Sequence, residues 1–201
     1  MDPLRGRANH VSSVAESARA AARAAAAAFG GTPQVRTYYD RDETHSVDIL
    51  ACDEERAPDF VSYSTLGLHT LTNMVDEDDI RIEMAAVARH DVAEFPNLLA
   101  TAAFYFIKDR WQCAPGVVYL SLLNEYGLSP TLEHVMWVEP FEWDQLGSVD
   151  VGGGVTIHWL LAIPISEAER RFLVDRGFDE LEKIFIDREI DYFDLNRQSV
   201  V

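Results

Sequence analysis

The sequence predicts an α+β fold, a single domain whose largely antiparallel mixed sheet is covered by helices. Three observations carry this: apolar residues alternate with period two in several short segments, they recur at helical spacing in others, and no linker-like stretch divides the 201 residues. At this length, with 48% hydrophobic residues, one core burying roughly 70% of the unfolded surface is expected.

Ser13 and Glu16 form a Ser-x-x-Glu capping box that predicts a helix over 13–29, stopped by Gly30-Gly31. Its alanine run, Ala24 to Ala28, combines high helix propensity with little apolar area. Residues 1–33 are therefore read as a helix belonging to, or appended to, the main domain at 34–201. Val35–Tyr39 and Ser46–Cys52 read as strands of a hairpin around the polar stretch Asp40 to Thr44. An extended run at Phe60–Thr65, an acidic loop and a strand from Asp79 to Val87 follow. In that strand Ile80, Ile82 and Met84 fall on one face and Arg81 and Glu83 on the other, where they can pair across the solvent face.

Glu94–Asp109 turns helical, with an apolar stripe through Phe95, Leu98, Leu99, Ala102 and Phe106, and Pro96 suits its first turn. Gly116–Leu123, His134–Val138 and Val155–Pro164 read as further strands, the last apolar on both faces and hence central. Two helices close the pattern, capped by Ser166 with Glu169 and by Asp179 with Glu182 and separated by Gly177. The tail Ile190–Val201 supplies a final extended piece.

Charge is the strongest compositional fact: 17 basic against 34 acidic residues leave −17. Arg5, Arg7, Arg19, Arg23 and Arg36 offset Asp2 and Glu16 in residues 1–36, so the remainder is more acidic still. Such a body repels phosphate backbones and favours a basic protein partner over nucleic acid; solubility alone is the competing reading. The apolar runs are too short for a membrane span, and the N-terminus lacks the pattern of a cleavable signal. Cys52 and Cys113 form no C-x-x-C pair, which fits a reducing cytoplasm.

No catalytic constellation is legible. The run Gly152-Gly153-Gly154 lacks the Lys-Ser/Thr of a phosphate loop and precedes a strand, so it reads as a turn. No G-x-S-x-G elbow occurs, Cys113 has no adjacent base in sequence, and the six histidines show no H-E-x-x-H spacing. Asp76, Glu77, Asp78 and Asp79 are contiguous, without the alternation and glycine of a calcium loop. They read first as a solvated loop, then as a rim facing a partner. Trp137 and Trp143 flank the turn Glu139-Pro140-Phe141; core packing accounts for both, and an exposed-anchor reading stands beside it.

Taken together, Tyr63-Ser-Thr-Leu-Gly-Leu68, Arg81-Ile-Glu-Met84, the Phe95-Pro helix start, Ala114-Pro-Gly, Leu161-Ala-Ile-Pro-Ile165 with Glu167 and Glu169, Gly177-Phe-Asp-Glu-Leu181 and Asp194-Leu-Asn-Arg197 occur in a collinear order. That order resembles the suppressor of fused (SUFU-like) domain family from about residue 60 onwards. His69 departs from the family's usual serine. The resemblance implies a short bacterial single-domain form, a kind that includes immunity proteins and antitoxins.

The expectation is thus a cytoplasmic, non-enzymatic binding protein with no cofactor and no metal, most closely an immunity protein whose acidic surface covers a basic toxin domain. Asp76, Glu77, Asp78, Asp79, Arg81, Glu83, Trp137 and Trp143 are its candidate partner-binding residues. An adaptor capturing a linear peptide by strand addition is the first alternative. A metal-dependent enzyme using carboxylates with His69, His90 or His158 is the second.

Overall fold

The computed structural model describes residues 3–53, 57, 59–152 and 154–201, with the backbone alone for 3–15. Helix α1 (Pro3–Phe29) leads into β1 (Pro33–Tyr39), β2 (Ser46–Asp53) and β3 (Phe60–Leu66), then a 3-10 turn at Leu68–Thr70. Two short strands, β4 (Met74–Val75) and β5 (Asp78–Asp79), precede β6 (Arg81–Arg89) and α2 (Phe95–Asp109). The chain continues through β7 (Val118–Tyr119), β8 (His134–Val138), β9 (Ser148–Asp150), β10 (Thr156–Ile165), α3 (Glu167–Arg176) and α4 (Phe178–Asp187).

The main sheet runs β1-β2-β3-β6-β10-β8-β7, with β9 beside β10. All its pairs are antiparallel except β6 with β10. The predicted α+β class with a mostly antiparallel sheet is therefore what the chain adopts. Side-chain alternation sorts the core into two layers. Ile82, Met84 and Ala86 face Leu98, Leu99, Ala102 and Phe106 of α2. Ala85, Val87, Trp159, Leu161 and Ile163 face Ala21, Ala25 and Phe29 of α1 and Leu181 and Phe185 of α4. Both faces are covered, which is why β6, β8 and β10 are apolar on both sides.

Several boundaries differ from the sequence reading for local reasons. Helix α1 begins at Pro3, so Ser13 is an interior residue and no cap. Strand β6 begins at Arg81, because Asp78–Asp79 turns back to pair with β4. In the predicted strand 116–123 only Val118 and Tyr119 pair, with Met136 and Val135. Ser121 then takes a left-handed φ of 57°, and its amide donates to His134 Nδ1 at 2.8 Å, which ends the ladder. The Ser166–Glu169 capping box is present. The cap expected at Asp179 is not: α4 starts at Phe178 behind Gly177, and Asp179 and Glu180 lie in its first turn, where they favour the helix dipole. The tail from Ile190 makes turns and no strand.

Close approach explains one glycine. At Gly31, with φ +65°, a Cβ would lie 2.1 Å from the Asp53 carbonyl oxygen, so the entry to β1 requires a residue without one.

The β1–β2 loop folds around Asp40. Its carboxylate accepts from Lys108 Nζ at 2.6 Å, from the Thr44 amide at 2.7 Å and from the His45 amide at 2.9 Å. Lys108 foremost, then the His45 amide, holds the Asp40 carboxyl well below the usual range. Glu167 is lowered in the same sense, first by Arg170 and then by His134. Both carboxyls hold protons less tightly in the folded chain than in the unfolded one. Their stabilisation is thus complete above the unfolded value near 4 and fades as the pH falls below it. Melting temperatures followed from pH 7 to pH 3 are expected to drop below about pH 4, and the combined Asp40→Asn, Glu167→Gln variant should show a shallower drop. Parallel curves for the two proteins would contradict this assignment.

Candidate functional site

At the start of β6 the sequence places Arg81 and Glu83 two residues apart, on the face opposite Ile82 and Met84. Because α1 covers that face, Glu83 is fully buried and cannot meet a partner from the surface. Its carboxylate accepts from Thr65 Oγ1 at 2.6 Å, from the Gly67 amide at 2.7 Å, from the His69 amide at 3.3 Å and from His69 Nδ1 at 2.6 Å. Gly67, at φ 107°, turns its N–H inward to reach that oxygen, a geometry glycine adopts without strain. The other imidazole nitrogen, His69 Nε2, lies 2.9 Å from Ser17 Oγ on α1. A polar chain therefore runs from helix α1 through His69 to Glu83, and His69 is occupied as a structural link.

Arg81 does not pair with Glu83, in contrast to the expected charge pair on a solvent face. It donates to Asp79 Oδ2 at 2.6 Å and to the His69 carbonyl at 3.4 Å. The cause is the same covered face, which turns Glu83 inward towards the 3-10 turn and leaves Arg81 to the rim.

The acidic segment is a tight hairpin. Met74 pairs with Asp79 and Val75 with Asp78, and Asp76 takes φ 54° at the turn. Buried Asn73 fixes its base: its side chain donates to the Cys113 carbonyl at 2.7 Å and accepts from the Cys113 amide at 3.1 Å. Its own amide donates to Asp79 Oδ1 at 3.0 Å. Asp76, Glu77, Asp78 and Asp79 are all exposed. A solvated loop thus becomes a rigidly rooted hairpin that displays carboxylates at fixed positions.

Beside this hairpin lies a cleft of about 410 Å³. Val75, Ile80, Ile82, Pro140, Ser148 and His158 are among the residues that line it. Glu139 also lines it, and the exposed carboxylates at 76–79 lie between its lining residues Val75 and Ile80 in sequence.

The two tryptophans are core residues and not surface anchors. Trp137 has no exposed area and stands edge-on to Tyr119. Trp143 is 7% exposed, its ring 4.6 Å from that of Phe29; β8 carries Trp137 into the α2 layer, and α1 closes over Trp143. The turn between them exposes a different ring: Phe141 is 50% exposed and lies 4.8 Å from Tyr192. Pro140-Phe141 in a turn was the available sequence signal, whereas nothing in the sequence placed Tyr192 against it.

Two further buried groups account for motifs in the resemblance. Glu169, fully buried, accepts from Arg197 Nη1 at 2.6 Å and Nη2 at 3.1 Å, and from the Ser166 and Val200 amides. Trp159 Nε1 donates to Ser64 Oγ at 2.9 Å. Cys52 and Cys113 are buried free thiols; burial, then the nearby Asp53, pushes Cys52 up to about 11, and burial raises Cys113 well above its usual value. Such thiols are poor nucleophiles. Among the described residues, no group of three or more histidine, cysteine or acidic side chains is placed to hold a metal, and no helix is long and apolar enough to cross a membrane.

Comparison with known proteins fits this architecture. The chain is 35% identical over 182 residues to immunity protein YqcF of Bacillus subtilis (strain 168), covering 90% of this chain and 95% of that protein. A crystal structure of a SUFU homologue from Neisseria gonorrhoeae superposes with a TM-score of 0.73 at 18% identity, covering 91% of this chain and 96% of that one. A chain in the Sufu–Fu complex crystal structure matches with a TM-score of 0.64 at 12% identity, covering 90% and 91%. These structural likenesses speak to fold. The model of the family described as suppressor of fused protein (SUFU) matches residues 43–198, and the chain belongs to that family.

Proposed function

We propose that this chain is a cytoplasmic, non-enzymatic immunity protein that neutralises a cognate toxin by laying its acidic surface over a basic face of that toxin. The observation that carries this reading is the identity to immunity protein YqcF over nearly the whole of both chains. Two features of the chain support it. The net charge of −17 favours fast encounter with a cationic partner. The rooted 76–79 hairpin holds four exposed carboxylates beside an apolar-walled cleft, so that a partner side chain can be buried inside a charged rim, the arrangement of a protein interface. An interface of the usual size buries on the order of 1,600 Å² in total.

Affinity capture from native-source lysate at low and high salt, with mass spectrometry, identifies the partner. Association rates then test the surface. Replacing Asp76, Glu77, Asp78 and Asp79 by their amides is expected to slow association about tenfold at low ionic strength and to flatten its salt dependence, with a smaller effect on dissociation. An unchanged association rate removes the hairpin from the interface.

One observation favours a second reading. Among the described residues, strand β1 ends the sheet with β2 as its one strand partner and is exposed along nearly all its length, and such an edge is what strand addition of a linear peptide requires. Partners that share a short extended motif and persist at high salt would identify the chain as an adaptor.

A further inference from the structure

Phe141, like Trp111, is an exposed apolar side chain held against other rings. Its ring lies 4.8 Å from Tyr192, and Tyr192 in turn stands edge-on to Phe185 at 5.9 Å. Phe185 is 2% exposed and belongs to the core layer beneath α4. A stack of three rings therefore rises from the core to the surface. The segment bearing Tyr192 is also fixed: Asp191 Oδ1 accepts the Phe193 amide at 3.0 Å and Asp194 Oδ1 accepts the Asn196 amide at 2.9 Å. An exposed ring supported in this way loses little conformational freedom when a partner covers it.

Its surroundings specify the chemistry of that partner. Glu139 is exposed two residues before Phe141, and Pro140 between them lines the cleft. Asp191 is exposed next to Tyr192, and Glu182 acts electrostatically on the Tyr192 phenol, helping burial to raise it. Arg197, a cation that acts in the opposite sense on Tyr192, is engaged by Glu169 at 2.6 Å. Lys183 and Arg188 are the exposed cations carried by this end of α4. The ring faces are electron-rich, and both segments that carry the rings also carry exposed carboxylates, Glu139 and Glu142 on one and Asp191 on the other, the combination that attracts a guanidinium or ammonium group over an aromatic ring.

We propose that Phe141 and Tyr192 form a pre-organised aromatic anchor that receives an arginine or lysine side chain from a basic loop of the protein partner, with Glu139 and Asp191 flanking the cation. This rests on the partner being a basic protein, and it adds an anchor, separate from the 76–79 hairpin, that the sequence reading did not contain.

The test uses the full chain and a defined probe, the peptide Ac-Gly-Arg-Gly-Arg-Gly-NH2, titrated at low ionic strength with amide NMR shifts as readout. Saturable shifts are expected at 139–144 and 190–193. Phe141→Ala, at an exposed position, should keep the native melting temperature and weaken the peptide about fivefold or more, whereas Phe141→Tyr should retain binding. Shifts spread over carboxylates at large, or equal affinity of Phe141→Ala and the parent, overturn the anchor. Shifts confined to 76–79 overturn it too and leave the basic-partner reading intact. Absence of saturable binding also overturns it, while the immunity role still answers to its own partner capture and rate measurement.

Discussion

Replacing Arg197 with alanine is expected to destabilise the protein by about 3–5 kcal/mol, because it strands the Glu169 carboxylate in the core. Arg197 donates to both Glu169 oxygens, to the Pro164 carbonyl at 2.8 Å and to the Gln198 carbonyl at 3.3 Å, and its guanidinium lies 5.4 Å from the Phe185 ring centre. The substitution therefore removes the clasp between the C-terminal tail, the end of β10 and the first turn of α3. Lysine should not rescue it, since a single ammonium cannot reproduce the bidentate fork. For a chain of 201 residues the loss corresponds to a melting-temperature drop of roughly 6–20 °C. Neutralising the acid as well, in the Arg197→Met, Glu169→Gln double variant, should recover part of the loss by removing the unpaired charge. A single variant that melts within about 2 °C of the parent would mean that the clasp contributes little net stability.

Glu83→Ala is expected to cost about as much, on the order of 3–5 kcal/mol. Four donors lose their acceptor together: the Thr65 hydroxyl, the Gly67 and His69 amides, and His69 Nδ1. These bonds act as one network, so their separate contributions do not add. Glu83→Gln keeps the shape and one carbonyl oxygen and should cost roughly half as much. The position of His69 between Glu83 and Ser17 gives a second readout. Amide exchange in the C-terminal half of α1 should accelerate more than in α2, which makes no bond to this network. An equal acceleration in the two helices would argue that α1 is held by its apolar packing through Ala21, Ala25 and Phe29 and not by this network.

These two sites show why the residues that carry the resemblance were legible without their roles. Glu83, Glu169 and Arg197 are charged, and a charged residue in an alternating strand or an amphipathic helix is normally a surface residue. Pattern reasoning accordingly set Glu83 on a solvent face with Arg81. In the folded chain a helix more than fifty residues away in sequence covers that face, and the carboxylate is met by hydrogen bonds from Thr65, His69 and two backbone amides. The tryptophans failed in the opposite sense. Trp137 and Trp143 flank a turn, which permits exposure, yet both point inward, and the ring left outside is Phe141. The acidic hairpin lies between these cases. Its exposure follows from four consecutive carboxylates, whereas its rigidity depends on Asn73 bonding to Cys113, forty residues further along the chain.

What the amino-acid sequence determined alone is the class of fold, most element positions, the capping box at Ser166, the inward stripe of α2 and the net acidity of the chain. All of these follow from local propensity, period and charge, which act between residues close in the chain. Tertiary structure alone decided which sheet faces are covered, which carboxylates are buried and paired, and which aromatic rings stand at the surface. Those outcomes depend on contacts between segments distant in sequence, where the burial of one element sets the dielectric and the hydrogen-bond partners available to another.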